Sequence, residues 1–182
     1  MILYHNADLK DLNSICERGL LPLSATGNNR WNSGKRAGNS ADVVYLFKPM
    51  DGKSNNFPNY GMALIEVDAD ADKSEIDKAD FYCGKYEEYT TAAVLPDRIE
   101  KIYIPEIFRH RIDLPESVLS KVIWCGIKAN TYTPDLKYIT ADADILKRFA
   151  DTAEMCVDKD NYFRGVYPNR EVIDLYDIEY II

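Results

Sequence analysis

"MILYHNADLKDLNSICERGLLP" (residues 1–22) governs how the rest of the chain is read. Ile2, Leu3 and Tyr4 form an apolar run that ends at His5, one of only two histidines in 182 residues. Residues 2–5 read as a short strand. Asp8 then reads as a helix N-cap, with Asp11 three positions on as an acidic first-turn partner. Leu9, Leu12, Ile15 and Cys16 fall on one helical face, and Gly19 follows as a C-terminal cap. "LLP" carries the chain away. Taken alone, His5 is as readily a structural histidine as a ligand.

Further along, residues 24–41, "SATGNNRWNSGKRAGNSA", carry no period and read as a long loop. A loop of this length inside a domain commonly binds or covers something, though a plain surface loop fits the pattern equally. It concentrates Arg30, Lys35 and Arg36, and it holds Trp31, an aromatic in a polar setting. "DVVYLFK" (42–48) is a strand rich in β-branched and aromatic residues. "MALIEVDAD" (62–70) is a strand that runs into the acidic stretch "DADADKSEIDKAD" (68–80). That stretch has no Gly at the sixth position and no Glu at the twelfth of a calcium loop, so it reads as a solvated connection. "YEEYTTAAVLPDRIEKIYIP" (86–105) reads as a strand from Tyr89 to Leu95, a Pro-Asp turn, and a strand from Ile99 to Ile104. Strands in series after one early helix predict an α+β fold rather than alternating βαβ units.

Beyond residue 112 the pattern changes. "VIWCGI" (122–127) is a buried-type strand, with Trp124 a core residue. "DADILKRFADTAEMCV" (142–157) is an amphipathic helix, and "EVIDLY" and "IEYII" close the chain as strands. The chain therefore divides into a core of residues 1–112 and residues 113–182, an α/β elaboration or a small second lobe.

Composition limits the partners. Twenty-two Lys and Arg against 30 Asp and Glu give a net charge of −8, which disfavours stable binding to a nucleic-acid backbone. The four cysteines (Cys16, Cys83, Cys125, Cys156) are scattered without a CxxC. With two distant histidines, they predict no metal site and reduced thiols in a cytoplasm. No signal peptide and no apolar run of membrane-spanning length is read. There is no GxGxxG and no GxSxG, and "GNNRWNSGKR" has the wrong spacing for a P-loop. His110, in "FRHRI", reads as part of a surface turn with Arg109 and Arg111.

What remains is an ordered set: Tyr4-His5, then Ile15, Gly19-Leu20 and Pro22; Tyr45 in "VYLF"; then Glu88-Tyr89, Leu95-Pro96, Ile99 and Ile102. This order resembles the ADP-ribosyltransferase fold, in the His-Tyr-Glu branch of diphtheria-toxin-like and DarT-like proteins. The resemblance covers residues 1–105. It implies a split β-sheet core with an early helix, and it implies NAD as a consumed substrate. His5 would hydrogen-bond the adenine-side ribose, Tyr45 would stack on nicotinamide, and Glu88 would be the catalytic carboxylate. Such a carboxylate stabilises the positive charge that develops on the sugar as nicotinamide leaves. Tyr60 would be a second aromatic at the nicotinamide, and Arg30 or Arg36 would contact the pyrophosphate. Glu87 is the alternative acid. The two side chains point to opposite faces of a strand, and Glu88 shares its face with Thr90. The expectation requires His5, Tyr45 and Glu88 to line one cleft.

The function implied is a mono-ADP-ribosyltransferase that cleaves NAD and transfers ADP-ribose to a target, protein rather than DNA. The competing reading is a non-catalytic, phage-type acidic inhibitor that mimics phosphates, with residues 68–80 as its contact surface.

Overall fold

The first strand, β1 (Ile2–Ala7), forms where the apolar run places it and continues two residues beyond His5. The computed structural model describes residues 1–27, 40–49, 62–74, 86–133, 136–153, 164–166 and 172–182. The early helix starts later than its sequence signal. A 3-10 turn (Leu9–Asp11) comes first, and α1 covers Leu12–Arg18. Asp8 heads the turn with extended backbone and makes no side-chain capping hydrogen bond, because its side chain is buried. Gly19 ends α1 as expected, with φ +85° and its N–H donating to the Ile15 carbonyl at 2.7 Å.

The next residue explains why glycine is needed there. Leu20 and Val94 exchange backbone hydrogen bonds of 2.8 and 2.9 Å. A Cβ on Gly19 would stand 2.0 Å from the Val94 carbonyl oxygen, backbone that cannot swing aside. The Gly19-Leu20 and Leu95-Pro96 motifs, far apart in sequence, are thus docked on one another. The same docking corrects one strand boundary. The strand expected at Tyr89–Leu95 is observed as β5 (Tyr86–Thr91), because Val94 leaves the ladder to pair with Leu20. A 3-10 turn at Pro96–Arg98 then leads into β6 (Ile99–Pro105).

A short helix α2 (Leu23–Thr26) follows Pro22. The remaining core strands are β2 (Val44–Pro49), β3 (Ala63–Asp68) and β4 (Asp72–Lys73). The chain then adds a short helix α3 (Glu116–Leu119), β7 (Val122–Thr133), β8 (Leu136–Thr140), helix α4 (Ala143–Ala153), β9 (Arg164–Val166) and β10 (Val172–Ile181). Asp142 caps α4, its Oδ1 accepting from the N–H groups of Asp144 and Ile145 at 2.9 and 3.0 Å. Residues 154–157 of the expected helix lie outside the described residues. The two closing strands read from sequence are one strand, with a register irregularity between Asp174 and Glu179.

Ten strands join in one mixed sheet among the described residues, in the order β4-β5-β2-β1-β3-β6-β7-β10-β9, with β8 on β7. Every pairing is antiparallel except β6 with β7. The fold is α+β, with few helices. β3 lies inside the sheet and is buried from Ala63 to Val67 on both faces, as its nearly continuous apolar run implies. Tyr180 of β10 is fully buried in the same core cluster as Leu3 and Leu46, so the C-terminal strand takes part in that core. No described helix is long and apolar enough to cross a membrane.

Candidate functional site

Strand order places three distant residues on neighbouring strands. β5 carries Glu88, β2 carries Tyr45 and β1 carries His5, and these strands are consecutive in the sheet. β1 pairs with β3 along its whole length, from Ile2–Asp68 to Ala7–Ala63. With β2 it registers only at Tyr4–Phe47. Beyond that pair, His5 Nδ1 lies 2.9 Å from the Tyr45 carbonyl oxygen. A carbonyl can only accept, so Nδ1 carries the proton. Burial pushes the imidazole below its ordinary pKa, against the opposing effect of the Tyr45 carbonyl, so the ring is held neutral. Nε2 is then left as an acceptor. The sequence-based role gave His5 one donor and one acceptor for a ribose; in the structure the donor is used on Tyr45.

Tyr45 is held at both ends. Its carbonyl accepts a hydrogen bond from the His5 Nδ1–H, and its hydroxyl accepts the Ser40 N–H at 2.8 Å. Ser24 N–H donates to the Ala41 carbonyl at 2.9 Å, which ties the start of α2 to the chain entering β2. Tyr45 therefore sits where the segment after Pro22 returns to the sheet.

Register decides the faces. Phe47 pairs with Glu88 and Tyr45 with Thr90, so Tyr45, Phe47, Glu88 and Thr90 share one face. Tyr4, opposite Phe47, belongs to it as well. Side chains alternate, so His5 stands on the other face, with Leu46 and Glu87. The single cleft expected for His5, Tyr45 and Glu88 is therefore not formed by three side chains on one face. His5 reaches the other two through the Tyr45 backbone, where β1 and β2 cease to register. The reason is local: Tyr4, next to His5 in the strand, turns to the Tyr45 face and meets Glu66 there.

The two candidate acids differ sharply. Glu88 is 0% exposed. Glu87 sits at the surface, where its carboxylate accepts from Lys73 Nζ and the Tyr89 hydroxyl, both at 2.9 Å. These hydrogen bonds, that to Lys73 foremost, hold the Glu87 carboxyl below its ordinary range. Glu87 has the surroundings of a solvated ion pair; Glu88 has those of a carboxylate kept out of water. Tyr60, Arg30 and Arg36 lie outside the described residues, as do Lys35, Trp31, Cys83 and Cys156.

Sequence reasoning missed a second polar centre. On the Tyr4 face, Glu66 accepts from the Tyr103 hydroxyl at 2.7 Å, Lys101 Nζ at 3.0 Å and the Tyr4 hydroxyl at 3.3 Å. Burial acts to raise its pKa, but these donors outweigh it and leave the carboxyl below the usual range. The burial and the Glu66 carboxylate push the Tyr103 hydroxyl up. Alternation in "ALIEVD" places Glu66 on the face opposite Ile65, which was the available signal. Its partners, on β1 and β6, were not legible without the pairing.

Among the described residues, the remaining titratable groups do not form a reactive cluster. Burial pushes the Cys125 thiol up to about 11 and raises Cys16 too, so neither is poised as a thiolate. His110 is exposed in the turn after Phe108. Its neighbour Arg109 donates to both Glu106 oxygens, at 2.6 and 2.8 Å, and lies 4.6 Å over the Trp124 ring. Trp124 is half-buried beneath that cation rather than enclosed in the core. In the acidic stretch, Asp68 is ion-paired with Arg98 and the Met1 amine, and only part of the stretch, residues 68–74, is described.

Comparisons with protein-family models, with curated proteins and with solved structures find no match for this chain.

Proposed function

We propose that this chain is a mono-ADP-ribosyltransferase that cleaves NAD at the nicotinamide–ribose bond and passes ADP-ribose to a target, protein in preference to DNA. One observation carries the reading. His5, Tyr45 and Glu88, up to 83 positions apart in sequence, lie on three consecutive strands, with His5 bonded to Tyr45 at the point where β1 and β2 part. The resemblance assigns its three roles to these residues.

In the proposed reaction the bond between nicotinamide nitrogen and ribose breaks, and nicotinamide leaves with the bonding pair. The sugar becomes oxocarbenium-like, and the Glu88 carboxylate stabilises that charge. A carboxylate already out of water does this more strongly than a hydrated one. The acceptor then attacks the same carbon and gives up its proton. The Tyr45 ring, on the Glu88 face, offers a flat face to nicotinamide, while His5, on the other face, acts by holding the Tyr45 backbone rather than by contacting the ribose. Because Glu88 is fully buried, this reading requires the chain around β5 to part when NAD binds. The acidic composition favours a protein target over a polyanion.

The test is label transfer. Labelled NAD is incubated with the protein and a cell lysate, with wild type compared with Glu88→Gln and Glu87→Gln. The reading expects transfer by wild type, retained in Glu87→Gln and reduced about 10²–10³-fold in Glu88→Gln, the scale of losing one preorganised stabilising group. Loss in Glu87→Gln with retention in Glu88→Gln would transfer the role to the other face, the one His5 occupies.

A further inference from the structure

Strand direction gathers exposed apolar residues at one end of the sheet. β1 and β6 both run antiparallel to β3, and β7 runs parallel to β6, so β1, β6 and β7 start at the same end. Ile2 opens β1, Leu95 precedes the turn into β6, Leu119 ends α3, and Ile123 follows the first residue of β7. All four are exposed, Leu95 most of all at 62%. Among the described residues, the only other exposed large apolar side chains are Met1, next to Ile2, and Ile181 and Ile182, at the close of β10. The strand order β1-β3-β6-β7 sets these starts within three strand spacings, about 14 Å. Two contacts draw the Leu95 turn into the same surface. Lys121 Nζ donates to the Pro96 and Ile99 carbonyls at 3.3 and 2.6 Å, which holds the turn against the start of β7. Arg98 Nε donates to the Asp68 carbonyl at 2.8 Å, at the end of β3 and opposite Ile2. Exposed apolar side chains grouped in this way mark a place where another molecule sits.

The charges around these residues select that molecule. Three cations here are already engaged: Arg98 with Asp68 at 3.2 Å, Lys101 with Glu66 at 3.0 Å, and Lys121 with the two carbonyls. Asp97, Glu100 and Glu116 are exposed and make no ion pair among the described residues. Asp97 stands two residues from Leu95, and Glu116 three from Leu119, which puts it on the same side of α3. Glu17 and Arg18, on the last turn of α1, add one charge of each sign. An apolar centre with an acidic rim repels an anionic lipid surface, a nucleic acid and a second copy of itself, and it attracts a cationic face. Three turns of helix span about 16 Å, which matches the spread of the strand starts.

We propose that this end of the sheet docks a basic amphipathic helix of a partner protein. The apolar face of that helix covers Ile2, Leu95, Leu119 and Ile123, and its lysines or arginines meet Asp97, Glu100 and Glu116. The surface is built on β1, β6 and β7 rather than on β5, and it does not depend on NAD cleavage.

The experiment uses the full chain and a fluorescent peptide of about 18 residues, leucine and lysine patterned as an amphipathic helix. A second peptide of the same composition, shuffled so that no face is apolar, controls for charge alone. Binding is followed by fluorescence anisotropy at physiological salt. The patterned peptide is expected to bind at least about tenfold more tightly than the shuffled one. Leu95→Ser/Ile123→Ser and, separately, Asp97→Asn/Glu100→Gln/Glu116→Gln should each weaken it about tenfold, the scale of losing central apolar contacts or three charge pairs. Asp42→Asn/Asp72→Asn/Asp144→Asn removes as many exposed carboxylates elsewhere. That variant should stay within about twofold of wild type, because charges beyond a Debye length are screened. Equal binding of the two peptides, or equal weakening by the two charge variants, would overturn the proposal. A dimer in sedimentation that Leu95→Ser/Ile123→Ser abolishes would overturn it in favour of a second copy. Binding to phosphatidylcholine vesicles abolished by the same change would overturn it in favour of a membrane. If the paired apolar variant does not fold, Leu95→Ser alone, at the most exposed of these positions, takes its place with the same expected direction.

Discussion

At the scale of single residues, Gly19 and His5 show how one position serves two elements. Gly19 ends a helix, which "ERGLLP" makes legible. It also admits the Val94 carbonyl at a distance no Cβ allows, and that was not legible, because the partner lies 75 positions away. Gly19→Ala meets both backbone strain at positive φ and a backbone clash. The expected loss is roughly 3 kcal/mol or more in chemical denaturation. A loss under about 1 kcal/mol, the ordinary helix-capping difference, would mean that the Leu20–Val94 bridge is not held as described. His5 was visible as a rare residue in an ordered context. Its tautomer was not, because that depends on the Tyr45 carbonyl of another strand. The Glu87–Glu88 choice was legible as a matter of faces. Which face is buried was not, since both neighbouring residues, Tyr86 and Tyr89, are aromatic.

At the scale of elements, the sequence identified strands more reliably than it placed their ends. β2, β3 and β6 follow their β-branched runs. β5 stops four residues early because Val94 has a better partner in Leu20. Helix α1 starts late because Asp8 is drawn inside. The acidic stretch after β3 read as a solvated connection, and its residues Asp72 and Lys73 are exposed; they also form the edge strand β4 beside β5, which no local pattern announced. The Glu66 centre belongs to this scale, since it ties β1, β3 and β6 together through one carboxylate. Its pKa is lowered in the folded chain, so the unfolded chain binds the proton more tightly. The stability it contributes is present above the ordinary carboxylate value, about 4.3, and is lost as pH falls through the lower folded value. Denaturation midpoints followed from pH 6 down to pH 2 should fall less steeply in Glu66→Gln than in wild type. Parallel curves would contradict that assignment.

At the scale of the whole molecule, the α+β class followed from strands in series after an early helix. The pairing of the C-terminal part did not follow. β7 joins β6 in parallel, an arrangement that no local pattern in "VIWCGI" announces, and it carries β10 and the buried Tyr180 into the common core. Removing that ring should therefore weaken the entire fold. Tyr180→Ala is expected to cost about 3–5 kcal/mol, as large aromatic truncations in cores do, within one cooperative unfolding transition. Two separate transitions in wild type would show that residues 113–182 fold as an independent lobe.

On the proposed reading, Glu88, fully buried on β5 and sharing a face with Tyr45 of β2, acts on NAD. Label transfer from NAD in a lysate tests it most directly. Wild type should label a target, Glu87→Gln should still do so, and Glu88→Gln should fall by about 10²–10³-fold. Wild type that binds no NAD and labels nothing, or a Glu88→Gln variant as active as wild type, would contradict it.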